Sequence, residues 1–404
     1  VKGYVANIEG NCRVQSTDGQ ALRLSTTQNS PISIGGDFIV EGPSRTWLST
    51  SPTTGVCNIQ GNFLYNSTST GVRYLTTKGV MTINVQGNFA VNTSGRIHMA
   101  STSPDSTGMR QTTLALRGDL VVLSGSMVGP PLPGKGKINF LGSAVQRFSA
   151  PSLPSFQGSI DYLVETGSTL DLGTSFLSNA AGSLVVRGKL QLGSVDPQGA
   201  IQLSGNGNVR ILGERIFEPG SAIEYNGQAE QWIGDGHPTS PTLNLICSNP
   251  AGVTLLNAIV TNDMTITGKF NGQQFPLTAH GHISIAPATE FVAEQINLAG
   301  GQEQSISVSG TTLKNLVINK SGNGVMLTSP LKISNSLLIE SPNTLLASNG
   351  NLSLLSNSDG VTGTAGIASL PAGSSVDGDV TVERYMSAEG RIYRYISAPV
   401  RNAP

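Results

Sequence analysis

Two short stretches hold the residue types that acid–base or metal chemistry needs. His280-Gly281-His282 places imidazoles at i and i+2, on one face of a strand, where two ligands could reach one metal ion. Gly234-Asp235-Gly236-His237 sets a carboxylate and an imidazole on one turn, the pair a general acid–base site uses. Each has a plainer reading. No carboxylate or third histidine lies close to His280 and His282 in sequence, so structural or solvent-exposed histidines fit that pair better. An aspartate between glycines forms a turn through its own Asx hydrogen bond.

Enzymes are weighed on the same residues. Polygalacturonase-like hydrolases resemble one another in carrying Asp-Asp, Gly-His-Gly and Arg-x-Lys; this chain has no Asp-Asp, and Ile283 follows His282. Calcium-binding nonapeptides of the Gly-Gly-x-Gly-x-Asp type do not occur either. Cys12, Cys57 and Cys247 are odd in number and lack Cys-x-x-Cys spacing, which argues against a zinc site and a disulfide framework. They read as small core residues or at most one pair, with Cys12 and Cys247 left open. The expectation is a protein that is not an enzyme, with no catalytic, metal or cofactor residues.

Other polar positions recur too regularly to ignore. Gln146, Gln231 and Gln304 each stand four residues after a glycine, in Ile138-x-Phe140-x-Gly142, Ile223-x-Tyr225-x-Gly227 and Ile296-x-Leu298-x-Gly300. They form either a ligand-contacting row or, the favoured reading, a set of amides satisfying backbone groups at a corner. Near the end, Arg384, Arg391 and Arg394 interleave with Tyr385, Tyr393 and Tyr395. Such a row fits an acidic glycan by charge and stacking, or alternation within a docked strand.

What must position these residues is a repeat. The pattern apolar-x-apolar-x-Gly-polar-apolar-x-apolar runs through Ile32 to Val40 about Gly36, and Cys57 to Tyr65 about Gly61. It continues through Ile83 to Val91 about Gly87, Leu114 to Val122 about Gly118, and Leu184 to Leu192 about Gly188. Weaker copies centre on Gly268, Gly350 and Gly378. The first three steps between glycines are each about 25–31 residues, the period of a solenoid coil. Alternation of period two passes straight through the glycine, so one face is buried along the whole segment. A residue without Cβ fits where two backbones approach, and the Asn or Asp after it is expected to take left-handed angles and close its own turn. The larger glutamine blocks, about 85 and about 73 residues apart, read as about three coils of about 25–28 residues each.

Strands at this period with Gly, Ser and Asn corners predict an all-β fold. It is a parallel β-helix, right-handed by the crossover rule, of roughly 14–15 coils. It is expected over 1–365, with 366–404 beginning a separate terminal β segment that leads into a further module. The insertions 101–111 and 126–136 are expected to protrude as loops. Composition agrees: 49 of 404 residues are Gly, only 12% are charged, and apolar residues reach 38%. A net charge of −1 removes the electrostatic basis for nucleic-acid binding. No apolar run approaches the length a membrane-spanning helix needs, so no membrane insertion is expected. The chain opens Val1-Lys2 without Met and reads as a mature form or an excised piece.

Two stretches carry a family resemblance. Val382-Glu383-Arg384-Tyr385, followed by Arg391-x-Tyr393-Arg394-x-Ile396-Ser397-x-Pro399-Val400, resembles a segment found in large secreted and cell-surface proteins of Bacteroidota, typically cargo of type IX secretion. The glutamine blocks resemble the same proteins, above all Lys314-Asn315-Leu316-Val317-Ile318-Asn319-Lys320-Ser321-Gly322. The likeness covers 137–404 well and 1–136 in style only. It implies an extracellular or cell-surface, adhesin-like architecture and no enzyme class. It also makes Asp105-Ser106-Thr107 similar to the O-glycosylation sites of that phylum. The expected function is a non-catalytic structural or adhesive stalk segment. The alternatives are a carbohydrate-active or carbohydrate-binding β-helix, and a self-associating filament subunit. Expected partners are an extracellular glycan or neighbouring domains of the same protein.

Overall fold

Residues 7–15, 21–25, 31–49, 54–69, 73–101, 110–129, 135–150, 156–179, 181–287, 289–356 and 364–385 are described in the structure, a computed structural model. Among them there is no helix, and every ladder between strands is parallel. The fold is an all-β parallel β-helix. The chain forms two compact units, Val1–His237 and Pro238–Pro404.

In the first unit a nine-stranded sheet stacks Asn7–Ile8, Ile32–Ile34, Thr54–Ile59, Val80–Val85, Gln111–Leu116, Lys135–Phe140, Ile160–Val164, Leu184–Val186 and Arg215–Phe217. Parallel neighbours cannot be joined by a hairpin, so the chain must travel round before it returns. The return path supplies two more faces. A second face stacks Cys12–Val14, Phe38–Gly42, Phe63–Ser67 and the start of Phe89–Ala100. A third stacks Ala21–Ser25, Arg45–Ser49, Arg73–Thr76 and the end of Phe89–Ala100.

The predicted inward positions are all buried, from Ile32, Ile34, Phe38 and Val40 to Leu184, Val186, Leu190 and Leu192. Register brings identical positions of successive coils into contact. Phe38, Phe63 and Phe89 stack with centroids 4.9 and 4.8 Å apart, the spacing of neighbouring strands. Cys57 shares this core; all three cysteines are free thiols, and burial, with the Cys12 charge second, pushes Cys57 up to about 12.

The corner between the first two faces is a continuous column. Gly61 N–H donates to the Gly36 carbonyl at 3.0 Å, Gly87 to Gly61 at 2.9 Å, and Gly118 to Gly87 at 3.1 Å. A Cβ on Gly87 would stand 2.8 Å from the Gly61 oxygen and 2.6 Å from Asn62 Oδ1. Close approach, not a left-handed φ, is what demands glycine there. The residue after each glycine corrects the sequence reading. Asp37, Asn62, Asn88 and Asp119 keep negative φ and do not close their own turns. Each Oδ1 instead accepts the backbone N–H one coil on: Asn62 to Asp37 at 2.7 Å, Asn88 to Asn62 at 2.8 Å, Asp119 to Asn88 at 2.7 Å, and Arg147 to Asp119 at 2.8 Å.

The second unit repeats the plan in shorter coils. Its register partners Ile259, Leu277, Ile296, Leu316 and Leu337 follow one another round the coil. Their steps are about 18–21 residues, near the short end of solenoid repeats. In the first unit Ile32, Cys57, Ile83, Leu114 and Ile138 stand in the same relation. Their steps are about 24–31 residues. The coil length expected from the first copies of the repeat therefore does not carry over to the second unit. The boundary expected at 365/366 is also crossed by coil strands: Gly366–Ile367, Ser375–Asp377 and Val380–Val382 all add in parallel to the preceding coil.

Candidate functional site

The three glutamines are buried, at 1% exposure or less, and each Nε2 donates to two corner carbonyls. Gln146 Nε2 donates to the carbonyls of Leu116 and Gly118, and its Oε1 accepts from Gly142 N–H at 2.6 Å. Gln231 does the same with Leu192, Ser194 and Gly227. Gln304 Nε2 reaches the carbonyls of Ala279 and Gly281 at 3.0 and 2.8 Å. Each amide adds a donor to the corner carbonyls, of which Leu116 and Leu192 already accept the N–H of Leu141 and Asn226 one coil on. The blocks are not equivalent in the fold, however. Gln146 follows a strand of the first face, whereas Gln231 follows Ala222–Tyr225, which continues the stack of Val145–Ser149 on the second. The motif belongs to a corner, at whichever vertex, and not to a block of three coils.

Gly300 breaks the pattern. Its φ is +87°, and Gln304 Oε1 accepts from Lys320 Nζ at 2.7 Å instead. Lys320 is 2% exposed and also donates to the Gln302 carbonyl at 2.6 Å, and burial lowers its pKa. His280 is likewise held below its ordinary value, by burial and then by Lys320.

The two histidine stretches dissolve as paired sites. Nδ1 of His282 accepts the Ser305 N–H at 3.1 Å and lies 2.8 Å from the Ser305 hydroxyl. His282 N–H in turn donates to Asp263 Oδ1 at 2.7 Å. His282 thus occupies the place that Asn and Asp hold in the first unit, while His280 packs toward Gly300. Asp235 is exposed and accepts from Leu203 N–H at 2.9 Å. His237 is buried, bonded to the Tyr225 hydroxyl at 2.9 Å, and burial lowers it to about 4. Acid and imidazole are therefore engaged in different environments. Among the described residues no group of three or more His, Cys, Asp or Glu could hold a metal ion.

Arg384 and Tyr385 are exposed, and Tyr385 N–H donates to Ser356 Oγ at 2.9 Å. Arg391, Tyr393, Arg394 and Tyr395 lie outside the described residues, as do most of the insertions and Asp105-Ser106-Thr107.

One arrangement escaped the sequence reading. On the third face of the first unit, Arg23 pairs in register with Trp47, and Tyr74 with His98. Ser49 pairs with Thr76, which sets Trp47 level with Tyr74 two residues earlier on each strand. Thr46, Leu48, Leu75, Ile97 and Met99 point inward and are buried, so this column points outward. Arg23 sits over the Trp47 ring at 4.7 Å from its centroid, and the Tyr74 and His98 rings lie 5.2 Å apart. The signal available in the sequence was Trp47, Tyr74 and His98 at steps of about 24–27 residues, near one coil.

No family model, curated protein or solved structure matches the chain.

Proposed function

We propose that the chain is a non-catalytic structural or adhesive segment of a large secreted or surface-exposed bacterial protein, a scaffold that holds surfaces apart and presents them. One observation carries the reading: the regular polar positions, from the Asx column to the three glutamines, satisfy the backbone of the coil itself. Catalysis by general acid and base needs such groups aimed at a reacting atom, and Asp235 and His237 are engaged apart. The test is reducing-sugar release from plant and algal polysaccharides by the purified chain. No release above buffer is expected. Turnover that disappears on replacing a carboxylate would overturn the proposal.

The second reading, carbohydrate binding without hydrolysis, is favoured by the outward column of Arg23, Trp47, Tyr74 and His98. It is compatible with an adhesive role and supplies the ligand such a role needs.

A further inference from the structure

We propose that the column Arg23–Trp47–Tyr74–His98, flanked by Arg96, binds an acidic oligosaccharide laid across successive coils. The inference rests on the adhesive reading above and names its ligand class.

The geometry comes first. Parallel coils place one residue of the column on each successive strand, so ring faces recur at the strand spacing of about 4.8 Å. A pyranose presents a flat face of C–H bonds with partial positive charge, which matches the electron-rich face of an indole or phenol. A row of such faces, rigidly held by a parallel ladder, suits a chain of sugars better than a single one. The backbone beneath the rings is held in place, because the residues on either side of each are packed in the core, and Arg23 has only to swing off the Trp47 ring toward the sugar's charge.

Charge selects the kind of sugar. Between Glu41 and Asp119 the sequence carries Arg45, Lys78, Arg96, Arg110 and Arg117, besides the buried Arg73, against the single acid Asp105. The whole chain is balanced at −1, so this is a local excess. Arg96 is exposed and lies two residues before His98, on the same side of its strand. Arg23 and Arg96 thus bracket the rings, and a planar guanidinium pairs with a uronate carboxylate or a sulfate through parallel N–H donors.

Single-stranded nucleic acid also stacks on aromatic rings. It carries a phosphate at every base, whereas the column offers two exposed arginines around three rings. That sparse charge fits an acidic polysaccharide with charges set apart by neutral units.

The experiment follows Trp47 fluorescence and calorimetry while titrating the whole chain with oligogalacturonate, a sulfated oligosaccharide, a neutral cello-oligosaccharide and oligo-dT. Saturable binding of an acidic sugar is expected, with the neutral sugar weaker. Trp47→Ala should lower affinity about tenfold or more, and Tyr74→Ala by a similar factor. Trp47→Phe, which keeps a ring, should retain most of the binding. Arg96→Gln should weaken it about threefold and flatten its salt dependence. Thermal unfolding of each variant separates lost binding from lost fold. Equal affinity of Trp47→Ala and the parent, tighter binding of oligo-dT, or no acidic-sugar binding would overturn the proposal. Sugar release would sink the non-catalytic reading instead and leave the column's ligand standing, so the two failures are distinguishable.

Discussion

The two units use the same corner chemistry on coils of different length. In the first, longer coils carry insertions, an aromatic core stack and an outward aromatic column. In the second, shorter coils leave little beyond three strands and their corners. Yet Asn244, Asp263 and His282 accept the N–H of Asp263, His282 and Ser305 just as Asp37, Asn62 and Asn88 accept theirs one coil on. What a parallel coil cannot vary is the place where its backbones meet. What it can vary is the length of chain between such places, which is where binding surfaces arise.

The corner glycines test that claim most severely. Gly87→Ala puts a methyl 2.8 Å from the Gly61 carbonyl oxygen and 2.6 Å from Asn62 Oδ1, with backbone on one side that cannot move alone. Destabilisation of about 3 kcal/mol or more is expected in urea unfolding. Gly281→Ala meets Asp263 Oδ1 and the Asn262 backbone and should behave alike in the second unit. Gly10→Ala has nothing within 4 Å and should stay within about 0.5 kcal/mol of the parent. A mild Gly87 variant would break the idea that the corners are fixed.

Acid should weaken both units, through His237 in the first and His280 in the second, with His237 the more deeply buried. His237 is held down to about 4 by burial, against an ordinary value of 6.5. The unfolded chain therefore binds more protons between those values, and stability falls as pH drops from about 6.5 to about 4. The linked loss is at most about 3 kcal/mol. His237→Phe should reduce that slope, leaving the part due to His98 and His280, which burial also holds below the ordinary value, while losing the bond to Tyr225 at all pH. A parent whose stability is flat across this window would remove His237 as the acid-sensitive element of the first unit.

The glutamines sharpen the comparison at a smaller scale. Gln231→Ala takes the amide donor from the Ser194 carbonyl and the acceptor from Gly227 N–H, while the Leu192 carbonyl keeps the N–H of Asn226, a loss of about 2 kcal/mol. Gln304→Ala strands two carbonyls and removes an acceptor from buried Lys320. It should cost about 1 kcal/mol more, because an ammonium left short of acceptors is dearer to bury than an amide. Equal losses in denaturant unfolding would show that Lys320 finds another partner.

Much of this was legible in the sequence, and the rest was hidden for definite reasons. Period-two alternation through Gly36, Gly61, Gly87, Gly118 and Gly188 read directly as an inward stripe, because burial acts on side chains two residues apart. The Asx role was misread because its hydrogen bond crosses to the next coil, 25 or 26 residues away, whereas sequence suggests a partner two residues off. The glutamine blocks suggested whole numbers of coils, but a corner motif moves to another vertex without changing its local pattern. The outward column leaves only a spacing near one coil between Trp47, Tyr74 and His98, which is faint because Arg, Trp, Tyr and His share no hydropathy and the coil length shifts between them.

His282 gives the smallest effect and the sharpest discrimination. If its imidazole only replaces an Asx side chain, then His282→Asn preserves an acceptor for Ser305 N–H and matches the residue type found at Asn62 and Asn88. Stability should change by less than about 0.5 kcal/mol. His282→Leu removes the acceptor at an exposed corner and should cost about 1 kcal/mol. A metal-binding pair predicts the opposite ordering of readouts: added zinc or nickel would raise the melting temperature of the parent, and His282→Asn would abolish the rise. The corner role predicts no metal-dependent shift in either protein. His282 is then a rung of the same column that Asn and Asp build in the first unit, made from a ring instead of a carboxamide.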